Sequence, residues 1–248
     1  MVETTTVIGI VLSAMPISEY DKRLVILTKD YGKITAFARG ARKQNSKYLA
    51  GSQPMTFGEF TLYRGRNAYT LTDVKVNEYF SSTLTDVESM YLGMYFLELS
   101  SYYGREGIEA SDTIRLLYRA LKTLKDEKIP KRLVRVIFEL RTLAINGEYP
   151  NFFQCLNCGR KEQLDYYDRK RFGVLCEQCH GKISEDQKLE VSTLYALQYI
   201  ITAKEGQLFQ FTVTETVLKQ MESIVHSYVK TRVDRTFKSL EFLENPFS

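Results

Sequence analysis

Four cysteines, the only ones in the chain, constrain its fold more than any other sequence feature. They form two Cys-x2-Cys pairs separated by 17 residues: Cys155 and Cys158, then Cys176 and Cys179. Each pair presents two sulfurs from one short turn, and two such turns together supply the closed tetrahedral S4 shell that zinc favours in structural sites. Disulfides or four unrelated core cysteines are the alternative interpretations. We predict one structural Zn²⁺ bound by all four cysteines, with no open position for a substrate.

The composition is typical of a folded protein that does not cross a membrane. The chain has 248 residues, of which 44% are hydrophobic and 26% charged. That length suits one large domain or two modest ones. The first residues, MVETTTVIGIVLSAMP, contain no basic segment, and no apolar run is long enough to cross a bilayer. We therefore expect a cytoplasmic protein with no membrane partner, a location in which disulfides are rare.

The apolar pattern changes at about residue 81. Before it, five strand-like segments alternate with turn signals: TTVIGIVLS, RLVILTK, KITAFAR, GEFTLYRG and AYTLTDVKV. Their combined length suits a compact barrel better than a sandwich. After it, apolar residues recur at helical spacing, with a capping-box pattern at Thr85 and Glu88 and further helix starts at Ser111 and near Pro130.

These patterns predict an α+β, multidomain fold. Residues 1–80 form a five-stranded β-barrel, and residues 81–248 form a mostly α-helical domain. The zinc-binding element, residues 150–183, interrupts the helical domain.

Positive charge is concentrated in the predicted barrel. The formal net charge of the whole chain is only +4, but the window from Lys33 to Arg66 contains seven cations and one acid, Glu59, and so carries +6. The cations are Lys33, Arg39, Arg42, Lys43, Lys47, Arg64 and Arg66. One interpretation is a solvated loop whose charge has no role. The other is a nucleic-acid interface, because loops on small barrels commonly hold the binding residues.

Aromatic residues interleaved with these cations favour the nucleic-acid interpretation. Guanidinium and ammonium groups follow phosphates, while exposed rings stack on unpaired bases. Strand alternation must bury some of the rings. We assign Phe37 and Phe60 to the core and expect Tyr63 and Tyr69 on the contact surface.

Two stretches resemble the RecO family of recombination mediators. The first is GIVLSAMPISEYDKRLVILTKDYGKITAFARGARKQNSK, and the second is FELRTLAINGEYPNFFQCLNCG. The matching residues are Gly9, Val11, Leu12, Glu19, Asp21, Thr28, Gly32, Lys33, Ala38, Gly40, Ala41 and Arg42 in the first stretch, and Gly147, Pro150, Cys155 and Cys158 in the second.

That resemblance implies an oligonucleotide-binding (OB) barrel, a helical domain and an embedded zinc element. It also implies a DNA repair function: binding single- and double-stranded DNA without sequence specificity and annealing complementary strands. The implied protein partners are RecR, the C-terminal tail of single-strand binding protein (SSB) and, indirectly, RecA, which the protein helps to load onto SSB-coated DNA.

The sequence contains little that suggests catalysis, and we expect a protein that is not an enzyme. Its two histidines are His180, next to a zinc-binding pair and a possible competing ligand, and His226 within a helical pattern. No phosphate-loop motif is present. Glu19 and Asp21 suggest at most a metal-dependent nuclease. A further alternative is a non-catalytic protein-interaction scaffold with a structural zinc element.

Overall fold

A computed structural model of the chain describes residues 4–66, 68–181 and 187–244. The chain divides into two compact units. The first is Met1–Asp126 with Thr236–Ser248, and the second is Glu127–Arg235. No helix among the described residues is both long enough and apolar enough to span a membrane.

A closed five-stranded barrel dominates the first unit, and this confirms the predicted fold class. Its strands, in the spatial order β1-β2-β3-β5-β4, are β1 (Thr4–Pro16), β2 (Lys22–Thr28), β3 (Gly32–Ala38), β4 (Thr56–Arg64) and β5 (Tyr69–Tyr79). Alternate side chains face inward, as the period of a strand requires. Ile34, Ala36 and Ala38 of β3 therefore join Val11, Phe60 and other apolar residues in the barrel core.

Two glycines, one on β1 and one on β4, allow these strands to pack closely against β2 and β5, their other neighbours. Gly9 pairs with Gly58 in the register. A Cβ atom at Gly58 would lie 2.3 Å from the carbonyl oxygen of Lys75, and one at Gly9 would lie 2.7 Å from that of Leu27. Any side chain at these positions would force the strands apart. Gly9 thus has a steric role in closing the barrel.

The described part of the first unit also contains three α-helices: α1 (Val87–Tyr103), α2 (Ser111–Thr123) and α6 (Lys238–Glu244). The capping residue of α1 differs from the prediction. Asp86, not Thr85, accepts a hydrogen bond of 2.9 Å from the backbone N–H of Ser89. Asp86 is one position closer to the helix and has the extended backbone conformation of a cap. The start of α2 at Ser111 was predicted, whereas α6 was not.

The described part of the second unit contains three α-helices and one small hairpin: α3 (Lys131–Ile145), β6 (Tyr166–Asp168), β7 (Gly173–Leu175), α4 (Val191–Thr202) and α5 (Glu215–Arg232). Helix α3 packs on α4 and α5. Arg132 of α3 makes charge-assisted hydrogen bonds to Glu215 and Glu222 of α5. The hairpin lies between α3 and α4 in the chain, so it interrupts the helices as predicted.

Candidate nucleic-acid interface and metal centre

A line of paired residues crosses the outer surface of the barrel. Starting at the end of β1, the residues opposite one another on successive strands are Met15, Arg23, Phe37, Thr70, Tyr63 and finally Thr4. We call this set the outer row. Because barrel strands are tilted, such a row climbs along the barrel instead of closing into a ring. Here it returns to β1 eleven residues before its starting point.

The strand register changes the expected exposure of two aromatic residues. Phe37, expected in the core, is partly exposed, because Ala36 and Ala38 take the inward positions of β3. Tyr69, expected on the contact surface, is only 7% exposed and belongs to the barrel core. It is the first residue of β5, and it faces inward together with Leu71. Phe60 is buried as predicted, and Tyr63 is exposed as predicted.

The connection after β3 carries the first group of cations and is held against the β1–β2 turn. The carboxylate of Asp21 accepts a hydrogen bond of 2.8 Å from the backbone N–H of Gly40, which has a φ of +67°. The backbone N–H of Arg42 donates a hydrogen bond to the carbonyl oxygen of Tyr20, and its guanidinium donates one to the carbonyl oxygen of Ser18. These bonds keep the cations close to the end of β3.

Three cations in this connection have exposed side chains and no ion pair within the part of the chain that the structure describes. They are Arg39, Arg42 and Lys43. The ammonium of Lys43 lies 5.5 Å from the centre of the Tyr20 ring. We call these three residues the loop cluster. Their charge is therefore available to a polyanion.

Lys47 is balanced locally, unlike the loop cluster. Its ammonium lies 3.2 Å from a carboxylate oxygen of Asp73 and 2.9 Å from the carbonyl oxygen of Thr72. The hydrogen bond to Asp73, and a second one to Tyr48, raise the pKa of Lys47. The residue stays cationic, but Asp73 offsets its field.

Lys33 also makes a contact within the protein, and its assignment to the DNA-contact surface stays a prediction. It is half-buried on β3, and its ammonium donates a hydrogen bond of 2.5 Å to the carbonyl oxygen of Ser101. Ser101 belongs to the last turn of α1, where unpaired carbonyls and the helix dipole attract a cation. Lys33 therefore stabilises the end of this helix.

Lys22 and Arg23 at the start of β2 were missed by the sequence analysis. Burial is the main cause that lowers the pKa of Lys22, and repulsion from Arg42 lowers it further. Lys22 therefore lies close enough to the loop cluster for its charge to interact with that of Arg42. Arg23 is exposed on the outer row, opposite Phe37. Only the strand register places either residue here, and no local sequence pattern does.

The second group of cations lies at the other end of the outer row. Arg64 follows Tyr63 directly and Arg66 comes two residues later; both are exposed and have no ion pair among the described residues. Adjacent strands lie about 4.8 Å apart, so Phe37 and Tyr63, two strands from each other, are separated by roughly 10 Å. The outer row thus connects the loop cluster to Arg64 and Arg66. We call this combined surface the basic band.

The four cysteines form one cluster, as their spacing predicts. All four sulfur atoms lie within 4.8 Å of one another. The sulfurs of Cys158 and Cys176 are 3.8 Å apart. Two thiolates each about 2.3 Å from a tetrahedral zinc are separated by about 3.8 Å. The donor set and its dimensions therefore fit a structural Zn²⁺.

Both cysteine turns have the same backbone geometry. The N–H of Gly159 bonds to the carbonyl of Cys155, and the N–H of His180 bonds to that of Cys176. Gly159 has a φ of +71°, which its missing Cβ permits. The bond from Leu156 to Val174 of β7 joins the first turn to the hairpin that precedes the second. The hairpin brings the two turns together.

The thiols of the cluster differ in acidity. Burial raises the pKa of Cys155, but backbone N–H groups of Cys176, Cys158 and Asn157 outweigh it and hold the pKa at about 6. The neighbouring thiols of Cys176 and Cys158 raise the pKa of Cys179 to about 12. A metal ion must displace the remaining thiol protons when it binds.

The ring of His180 contacts an aromatic ring and a backbone carbonyl, and not the sulfur cluster. It stacks on Tyr166 with 4.0 Å between ring centres and 8° between planes. Its Nδ1 lies 2.5 Å from the carbonyl oxygen of Glu177. The four cysteines, without His180, are the ligand set that the geometry favours.

Comparisons with known proteins agree with this architecture. The family model "Recombination protein O N terminal" matches residues 1–80, and "Recombination protein O C terminal" matches residues 84–241. A DNA repair protein RecO from Alkaliphilus metalliredigens is 32% identical over 235 residues, covering 94% of this chain and 96% of that protein. Another from Acetivibrio thermocellus is 31% identical over 238 residues, covering 95% and 94%.

A solved aspartyl tRNA synthetase from Entamoeba histolytica covers 58% of this chain and 33% of its own, at 9% identity and a TM-score of 0.21, which is too low to show a shared fold. The two family models together span nearly the whole chain, and the relatives align along almost their full length. The chain belongs to the RecO family of DNA repair proteins.

Proposed function

We propose that this chain binds single- and double-stranded DNA through the basic band, without sequence specificity, and anneals complementary strands. The observation that carries the proposal is the continuity of the band. The loop cluster, Arg23 and Phe37 lie at one end of the outer row, and Tyr63, Arg64 and Arg66 lie at the other. Cations with no carboxylate partner, interspersed with exposed rings, suit a phosphate backbone with unpaired bases.

Annealing follows from the same charge distribution. Two DNA strands repel each other, and a protein that neutralises phosphates on both lowers the barrier to their encounter. No base-reading geometry is needed for this activity. The surface therefore acts on DNA of any sequence, and the protein has no need of a catalytic residue.

The zinc ion in this proposal is structural. The four cysteines close its coordination shell, so no position remains for an activated water. Its role is to hold the hairpin and the two cysteine turns together.

We also propose a functional division into a DNA-binding domain, residues 1–80, and a helical domain, residues 81–248, interrupted by the zinc element at 150–183. The compact units of the structure are divided differently, because they group α1, α2 and α6 with the barrel.

Membership of the family supports the proposed protein partners. They are RecR, the C-terminal tail of SSB and, through displacement of SSB, RecA. The proposed location is the cytoplasm, on the nucleoid. No residue of this chain is assigned to a protein partner.

A salt titration tests the proposal. Fluorescein-labelled single-stranded DNA is titrated with the protein at several salt concentrations, and log K is plotted against log salt. Each phosphate contact on single-stranded DNA contributes a slope of about −0.7. Replacing Arg39, Arg42 and Lys43 by Ala should therefore flatten the slope by about 2. The same variant should slow annealing of complementary strands coated with the cognate SSB.

A matched control separates this effect from a general loss of charge. Lys122 and Lys204 are exposed lysines outside the basic band, and replacing both by Ala should leave the slope unchanged. A wild-type slope in the loop-cluster variant would refute the proposed surface. Binding with no salt dependence at all would favour the alternative, a protein-interaction scaffold.

A further inference from the structure

A cavity opens at the second end of the outer row. It has a volume of about 440 Å³, within the usual range of small-ligand pockets, roughly 300–1,000 Å³. Three separate segments build it: the first residues of β1, the β2–β3 turn, and the turn joining β4 to β5. The lining side chains used below are Thr5, Tyr31, Tyr63, Arg64 and Tyr69.

The aromatic groups of the cavity are arranged to receive a flat ligand. Tyr31 and Tyr63 stand at its mouth, each 38% exposed, and neither ring packs on another ring of the described residues. Tyr69 forms the interior wall and is 7% exposed. Free aromatic faces at a cavity mouth are the groups on which an unpaired base stacks.

Two polar groups of the cavity have no partner among the described residues. The hydroxyl of Tyr69 makes no hydrogen bond to any described residue, although the side chain is more than nine-tenths buried. This hydroxyl is not among the described polar atoms that are both buried and without a partner, so it is accessible from the open cavity and can bond to a ligand there. Arg64 lies beside it with no ion pair among the described residues, and its guanidinium suits one phosphate.

We propose that this cavity binds one unstacked nucleotide of a single strand: Tyr31 and Tyr63 hold the base, Tyr69 donates a hydrogen bond to it, and Arg64 binds its phosphate. This inference rests on the proposed DNA binding and adds a subsite to it. Hydroxyls and ring faces suit any base, so the subsite does not read sequence. It distinguishes single strands from duplexes, because duplex bases are stacked and paired.

The test compares Tyr31→Ala and Tyr63→Ala with the unchanged chain, using a fluorescein-labelled oligothymidylate and a duplex of equal length. Each variant should bind the single strand about ten-fold more weakly at every salt concentration, with an unchanged salt slope and unchanged duplex affinity. Tyr31→Phe and Tyr63→Phe, which keep the ring, should bind like the unchanged chain. Tyr149, also 38% exposed but in the other unit, gives the control Tyr149→Ala, which should have no effect.

An abasic oligonucleotide makes the test specific to a base. The unchanged chain should bind it about ten-fold more weakly than oligothymidylate, and the two alanine variants should weaken its binding no further. Equal losses on single strand and duplex, or no loss in either alanine variant, would overturn the subsite. The proposed DNA binding would survive that outcome, since its own test is the salt slope of the loop-cluster variant. Thermal unfolding of each variant shows that it is folded.

Discussion

The zinc-binding element and the basic band are two kinds of site, and they depend on the sequence in different ways. The zinc ligands come from two short turns, each set by residues adjacent in the chain. The basic band comes from strands far apart in sequence, and the strand register alone brings Arg23, Phe37 and Tyr63 onto one row. A locally specified site is sensitive to each of its members. A surface assembled by register should instead lose function gradually as its members are removed.

The largest effect should come from the zinc site. Cys176→Ser removes one of four thiolates, and structural zinc sites contribute about 10–16 kcal/mol of metal binding that is coupled to folding. We expect bound zinc to fall from about one per chain to near zero, together with a lower thermal stability. Metal analysis and thermal unfolding measure these changes.

The salt slope of DNA binding checks that this damage is confined to the second unit. The slope should change little in Cys176→Ser, because the basic band lies in the first unit. Protein purified without chelator that contains no metal would refute the zinc assignment. A flattened slope would refute the separation of the two sites.

Replacing two phenylalanines of the barrel should affect two different properties: stability for Phe60 and DNA binding for Phe37. Phe60 is fully buried, so Phe60→Ala should lower the free energy of unfolding by about 3–5 kcal/mol. Phe37 is partly exposed on the outer row, so Phe37→Ala should cost stability much less and weaken single-stranded DNA binding by about 1–3 kcal/mol. Denaturant unfolding and anisotropy titration measure the two quantities. A stability loss for Phe37→Ala as large as that for Phe60→Ala would return Phe37 to the core.

A variant of Lys33 tests whether one cation of the positively charged stretch 33–66 has a structural role. Lys33→Met removes the bond to the end of α1, so stability should fall by about 1 kcal/mol. The slope of log K against log salt should stay as in the unchanged chain. A slope that flattens by about 0.7 would show instead that Lys33 contacts a phosphate.

The smallest effect should come from Asp73. Asp73→Asn removes the carboxylate that balances Lys47, so one more cation becomes available to DNA. The salt slope should become steeper by at most about 0.7, and affinity at low salt should rise. The pair is exposed, so the stability change should stay below about 1 kcal/mol. Weaker DNA binding in this variant would contradict the prediction that Lys47 contacts a phosphate.

The elements of the fold were largely predictable from the sequence. Alternation in KITAFAR and its neighbours identified all five strands, and the paired Cys-x2-Cys turns identified the metal ligands. Both patterns are local. Helix α6 was missed because its seven residues are too few to establish a helical period. The capping residue of α1 was displaced by one position, which is the usual uncertainty of a helix boundary.

The composition of the candidate interface was less predictable, for a physical reason. Whether Phe37 or Tyr69 faces solvent depends on which strand positions point inward, and a shift of one residue exchanges the two faces. The role of Lys33 depends on a contact with Ser101, 68 residues later in the chain. Tyr31 was overlooked because its place in the cavity follows from the arrangement of three distant segments. Pairing between distant strands and helices decides such positions.

The central claim is that the loop cluster and the pair Arg64 and Arg66 act as one continuous surface. The most direct measurement is the salt slope of Arg64→Ala/Arg66→Ala on oligothymidylates of increasing length. We predict a wild-type slope on oligonucleotides that reach only the loop cluster, and a slope flatter by about 1.4 once the strand is long enough to reach both ends of the outer row. A slope unchanged at every length would show that the two groups of cations bind DNA independently or not at all, and would contradict the account.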